Sequence, residues 1–162
     1  MGIRKLRLES DSPDEATLIG ISSALKDYRM IHYLNKELRV DFAKIPDLPF
    51  SATATRVLSV PLYHYFHELT ENNWLIFSNR SASNEFVFPQ HKNLDFFLLI
   101  DDLINEDEVS KLVSRLRQVK DLSLAVSMDG SKVNKIDLLY ADLEMHLTDV
   151  FSKENTDRGR SS

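Results

Sequence analysis

One turn and the strand behind it constrain this chain more than any other stretch. Leu94-Asp95-Phe96-Phe97-Leu98-Leu99-Ile100 is an apolar run of strand length, broken once by an acid, and it predicts a buried strand. Phe88-Pro89-Gln90-His91-Lys92-Asn93 precedes it. The fixed φ and missing N–H of Pro89 bar it from the interior of a sheet, and its ring pushes Phe88 toward extended backbone. The segment therefore reads as a turn feeding a core strand. A carboxylate at the mouth of such a strand is costly unless it is paired or accepts backbone N–H groups. Asp95 is accordingly expected to tie the 89–93 turn to a neighbouring element.

Periodicity and punctuation supply the other elements. Residues 2–9 partly alternate and read as a short edge strand with one basic face. Ser12-Pro13-Asp14-Glu15 has the order of a helix start, with Ser12 as cap and Glu15 closing a capping box. Leu18, Ile21, Leu25, Tyr28, Ile31 and Leu34 then recur at helical spacing, predicting one helix over 13–38 with a small-residue face of Gly20, Ser22 and Ser23. The competing reading is a strand at 16–21 followed by a helix capped by Ser22 or Ser23. A strand near 40–45 and a loop through residue 55 come next. Residues 56–69 and 74–77 read as a hairpin, with Pro61 marking an edge or a bulge. Asn105 and the acids at 106–108 open a second helix ending near Lys120. Residues 122–128 alternate as a strand, and a third helix is expected over about 131–151.

These elements define an α+β fold: a mixed, mostly antiparallel sheet of about five or six strands packed by three helices, in a single domain over residues 1–151. Strand–helix–strand over 94–128 is compatible with a crossover that pairs two parallel strands. Residues 152–162 are polar and expected to form a disordered tail. One sheet face would need cover from the first helix or from a second subunit, so a homodimer is an expectation of this architecture.

Composition removes several function classes. The chain has no cysteine, which excludes disulfides, thiolate metal sites and cysteine nucleophiles. Four glycines in 162 residues leave no place for a phosphate-cradling glycine loop. A net charge of −5 argues against nucleic acid or an anionic membrane as partner. The N-terminal stretch has no apolar h-region and no long apolar span follows, so the expected compartment is the cytoplasm. His64 and His67 are three apart on a strand and face opposite sides, in an order that matches no zinc motif; they are read as aromatic-flanked surface histidines. Asp101-Asp102 and the acids after Asn105 fit a helix start better than a magnesium site. No metal, cofactor or catalytic set is expected.

The candidate binding residues fall in three blocks: Lys26-Asp27-Tyr28-Arg29, then Asn79 and Arg80, then Gln90 and Asp95. Charges in the first block fan out rather than converge, so they suit a surface contact. Asn35, on a mostly apolar helix face, is expected to bond a nearby loop.

The stretch from Phe88 to Phe96 resembles the signature of the IPExxxVDY family, a group of small Bacteroidota proteins without an assigned activity. Pro89 and Asp95 match it, and Phe88, Gln90, Leu94 and Phe96 stand where the signature has Ile, Glu, Val and Tyr. Residues 18–29 with Leu34-Asn35, and Phe77-Ser78-Asn79-Arg80, are also similar to the family, in matching order over roughly residues 16–100. Gln90 cannot titrate as Glu does, and Phe96 lacks a hydroxyl. Both swaps keep shape and discard chemistry, which favours a packing role for the signature. The resemblance implies a partner particular to one bacterial lineage.

Three functions are compatible with these residues. The leading one is a non-catalytic adaptor that binds an unidentified cytoplasmic protein through the 26–29 surface and the 90–95 turn. The second is a sensor of a small or phosphorylated ligand using Lys26, Arg29 and Arg80. The third is a hydrolase or transferase using Asp95, Asp101 or His91.

Overall fold

The computed structural model describes residues 16–160, with side chains described as far as Ser152. The strand expected over 2–9 and the helix start at 12–15 lie outside the described residues. Six strands are formed: β1 (Thr17–Ser23), β2 (Ala43–Thr53), β3 (Arg56–His67), β4 (Asn72–Ser78), β5 (Phe96–Ile100) and β6 (Leu122–Met128). Among the described residues three α-helices accompany them: α1 (Asp27–Leu38), α2 (Glu106–Leu116) and α3 (Ile136–Arg160).

The single helix expected over 13–38 is not formed; the strand-then-helix alternative describes this region. The cap is Lys26, not Ser22 or Ser23. The cause is burial on both sides. Every residue of β1 is buried, and a run with apolar groups at both parities satisfies a helical period by accident. The small-residue cluster does serve close packing, but on the strand. A Cβ on Gly20 would lie 2.6 Å from Leu94 Cδ1 and 2.9 Å from Met128 Sδ, so only glycine lets Leu94 seat there unmoved.

The sheet order is β2-β3-β4-β5-β1-β6, and every neighbouring pair is antiparallel. β5 and β6 run in the same direction, but β1 lies between them, so the α2 connection passes over a strand and pairs nothing. Pro61 lies on the interior strand β3, opposite a bulge in the edge strand β2. Ile45 faces Leu62 and Leu48 faces Val60, leaving Pro46 and Asp47 opposite Pro61, which has no N–H to give.

Helices cover one sheet face and a helix plus a loop cover the other. Met30, Ile31 and Leu34 of α1 and Val113 and Leu116 of α2 pack on Ile19, Ile21, Ile76 and Leu98. On the opposite face Leu139, Leu143 and Leu147 of α3 join Phe88 and Leu94 of the 79–95 loop over Leu62, Phe77 and Leu99. With both faces covered within the chain, a bare face no longer argues for a second subunit. α3 and the residue before it also protect the β2 edge. Asp142 accepts from the Ser51 N–H at 2.8 Å, Lys135 Nζ donates to the Ala52 carbonyl at 2.9 Å, and His146 Nε2 meets the Pro46 carbonyl at 2.8 Å. An edge whose backbone groups are already engaged is a poor template for another strand.

Local signals end the helices. Arg39 takes a left-handed conformation (φ 56°) after α1, and the Asn35 side chain holds the next segment by bonding both the N–H and the carbonyl of Phe42. Asn105 caps α2 by accepting from Glu108 N–H at 2.9 Å. The backbone of α3 is helical to Arg160, past the point near residue 151 where a polar tail was expected. Among the described residues no helix is long and apolar enough to cross a membrane.

Candidate functional site

The 79–95 loop is built on Asn79, which is fully buried. Its side-chain carbonyl accepts from Phe88 N–H at 2.8 Å, and its amide donates to the carbonyls of His91 and Leu94, each at 2.9 Å. Its own backbone bonds Val87 and Asp95. Asn79 thereby satisfies the polar backbone of a turn that has no sheet partner, which is what a buried loop requires. Pro89–His91 forms one short 3-10 turn inside this frame. Asn79 was a candidate for partner contact; its burial makes it a support for the turn instead.

Phe88 plugs the turn into the core. Its ring lies 5.4 Å from Phe97, 6.0 Å from Phe50 and 6.3 Å from Phe77. Asp95 does what a strand-mouth carboxylate must: its Oδ2 accepts from Ser23 N–H at 2.9 Å, while its backbone N–H donates to the Ile21 carbonyl at 2.8 Å. Ser22 Oγ adds a hydrogen bond to the Asn93 carbonyl. The turn is thus joined to the end of β1.

Above this frame the loop walls two adjoining hollows. One, about 280 Å³, is apolar and lies among Phe50, Phe86, Val87, Phe88 and Pro89, with Gln90 and Lys135 at its margin. The other, about 440 Å³, is bordered by Arg56, Arg80, Glu85 and Lys92 and shares Ala52, Phe86 and Pro89 with the first. Arg80 lies over the Phe86 ring at 4.1 Å, and Lys92 stands 5.8 Å from the same ring. Arg56 pairs with Glu85, whereas Arg80 spends its guanidinium on Asn84 and the Phe86 face. The result is an apolar slot with a cationic rim.

Lys26, Asp27, Tyr28 and Arg29 begin α1, on the face opposite this loop. Asp27 accepts from the Tyr63 hydroxyl at 3.0 Å; burial pushes that hydroxyl well above the ordinary tyrosine range, and the Asp27 carboxylate adds to the shift. The Arg29 guanidinium beside the Tyr33 hydroxyl lowers its pKa, with Lys120 contributing. Tyr28 is exposed. Arg29 and Arg80 therefore belong to surfaces on opposite sides of the sheet, and Lys26, Arg29 and Arg80 do not form one anion site.

The acid and histidine candidates for catalysis are also apart. Asp95 and His91 lie before β5 and Asp101 after it, about 20 Å away at strand rise. Asp101 is buried and accepts from both the backbone N–H and the side-chain amide of Asn73. Asn73 Oδ1 in turn shares a hydrogen bond of 2.8 Å with His64 Nε2. His64, expected at the surface, is buried against Phe151, while His67 stacks on Trp74 across the sheet. Among the described residues no three His, Asp or Glu side chains gather as a metal ion would require.

Sequence reasoning found Arg80 and Gln90 but not Phe50, Phe86, Lys92 or Lys135. Lys92 was visible inside the signature. Lys135 and Phe50 arrive by long-range packing and carry no local signal. Compared with known protein families and with curated protein sequences, the chain matches none.

Proposed function

We propose that this protein is a non-catalytic binding domain that docks a cytoplasmic protein partner in the slot of the 79–95 loop. The partner segment places an apolar side chain between Phe50 and Phe86 and an acidic group against Arg80, Lys92 and Lys135. One observation carries the reading. The polar groups that hold the turn (Asn79, Asp95, Ser22) are spent on backbone hydrogen bonds, while the exposed cations and an apolar hollow beside them face outward. Such a pairing of apolar anchor and charged rim is how interfaces combine affinity with orientation. The resemblance to a lineage-restricted family accords with a partner from the same lineage.

Affinity capture from the native host tests this with two variants. Arg80→Glu combined with Lys92→Glu reverses the rim, and Ala52→Trp fills the wall shared by both hollows. Both variants should keep the wild-type melting temperature within a few degrees and lose the captured protein. Recovery of the same protein by either folded variant would refute the assignment of this slot.

A further inference from the structure

The slot of the 79–95 loop has a closed end and an open one. The smaller hollow, about 280 Å³, falls below the roughly 300–1,000 Å³ of small-molecule sites and has room for one or two side chains. Three walls enclose it: the end of β2 with Phe50 and Ala52, residues 86–91 of the loop, and Asn134 and Lys135 before α3. Lys135 Nζ donates to the Ala52 carbonyl at 2.9 Å and so ties the first wall to the third. The larger hollow adjoins across Ala52, Phe86 and Pro89 and is the more open to solvent. A chain seated in the small hollow therefore leaves through the large one.

The two ends also differ in what they can hold. No carboxylate lines the small hollow; its ionisable side chains are those of His91 and Lys135. Lys135 is held with φ at 68°, a left-handed backbone that glycine or asparagine adopts at less cost. Its ammonium uses one of three donors on Ala52 and keeps two for a ligand. A charged amino terminus would meet no counter-charge here, whereas a carboxylate would. In the large hollow Glu85 is matched by Arg56, which leaves Arg80 and Lys92 as the cations beside Phe86. The closed end thus asks for an apolar group and a carboxylate together. An internal residue offers one or the other and needs two ways out. A C-terminal residue carries both on one carbon and needs a single way out.

We propose, resting on the docking slot assigned above, that the segment it receives is the free carboxyl end of the partner protein. The last residue is apolar. Its side chain fills the space between Phe50, Phe86 and Phe88, and its terminal carboxylate accepts from Lys135 Nζ. The residues before it pass over Pro89 into the larger hollow, where an aspartate or glutamate meets Arg80 and Lys92. Capture of a terminal carboxylate is a recurring mode of peptide recognition. It makes binding depend on where the partner's chain stops as well as on its sequence.

Fluorescence anisotropy of the full chain with short peptides, dye-labelled at the amino end, tests the proposal. The peptides end in aspartate followed by leucine, methionine or phenylalanine, each as the free acid, as the C-terminal amide, and with two glycines added after the apolar residue. At least one free acid should bind with a Kd of about 100 μM or tighter, and its amide and extended forms about tenfold more weakly or worse. Lys135→Asn keeps a residue suited to the left-handed backbone and should abolish the preference for acid over amide. Arg80→Glu with Lys92→Glu should weaken both forms and keep their ratio. Amide and extended peptides that bind as tightly as the acid, and lose binding in Ala52→Trp, would overturn the terminal carboxylate while leaving the slot in force. Acid preference that survives Lys135→Asn would overturn it too. So would failure of every peptide at millimolar concentration, and the capture experiment above would then decide the slot by itself.

Discussion

The Asp95 carboxylate accepts a hydrogen bond from the Ser23 backbone N–H at 2.9 Å, and through it the turn before β5 is fastened to the last residue of β1. The contact spans 72 residues of sequence and closes the centre of the sheet. Asp95→Ala should lower unfolding stability by about 1–2 kcal/mol, the cost of stranding a partly buried N–H and losing a charged acceptor. Asp95→Asn keeps an acceptor oxygen and should cost less. Urea denaturation of the two variants beside wild type measures the difference.

Asn79 should be the more sensitive position. Its side chain satisfies the Phe88 N–H and the Leu94 carbonyl, and it adds a second donor to the His91 carbonyl, which also accepts from the Leu94 N–H at 3.0 Å. Asn79→Ala strands the Phe88 N–H and the Leu94 carbonyl inside the core and removes a third bond, for a loss on the order of 3 kcal/mol. The Arg80→Glu and Lys92→Glu pair, a few residues away on the surface, should change stability by less than about 0.5 kcal/mol. Thermal melts that rank these variants the other way would show that the loop is held by something else.

Gly20→Ala tests the close approach of Leu94. The added methyl would fall 2.6 Å from Leu94 Cδ1 and 2.9 Å from Met128 Sδ. Leu94 must shift, at an overpacking cost of about 1–3 kcal/mol. Trimming the intruding side chain in the double variant Gly20→Ala with Leu94→Val should recover part of that loss, and a double-variant cycle reads the coupling directly.

Acid should weaken the β2–β3 bulge through Asp47. Partial burial acts to raise the Asp47 pKa, but hydrogen bonds from Lys44 Nζ at 2.6 Å and Ser59 Oγ at 2.9 Å outweigh it and hold the carboxyl below its usual range. A carboxylate whose folded pKa is depressed stabilises the fold above its unfolded value, and that contribution vanishes as pH falls through the folded one. Wild-type stability should therefore drop on acidification below the usual carboxylate range more steeply than that of Asp47→Asn. Melting temperatures of the two proteins across pH 2.5–6, a window about that range, give the comparison.

The parts of the fold that were legible in the sequence are those with a local cause. Pro89 and Asp95 announced a turn and a tethered strand because a missing N–H and a buried carboxylate have few solutions. Asn105 announced α2 because a cap acts within one turn. β1 was misread as helix because burial on both faces erases the alternation that marks a strand, and its partners β5 and β6 lie 70 or more residues away. The candidate site divides in the same way. Gln90 lies in the signature stretch and Arg80 in the 77–80 block that is also similar to the family. Phe50 and Lys135 reach the slot from β2 and from the segment before α3, and only the assembled sheet brings them there. Asn79 shows the limit of reading chemistry from residue type: a polar side chain marked out by the 77–80 block proved to be the support of the turn.

Amide hydrogen exchange at Ser23, compared between wild type and Asp95→Ala, tests most directly whether the turn before β5 is a joint of the scaffold. The Ser23 N–H should be strongly protected in the wild type and exchange at least about tenfold faster in the variant, the effect of losing about 1.4 kcal/mol of local stability. Equal protection in both proteins would contradict the account, because the carboxylate would then be holding nothing and would need another purpose.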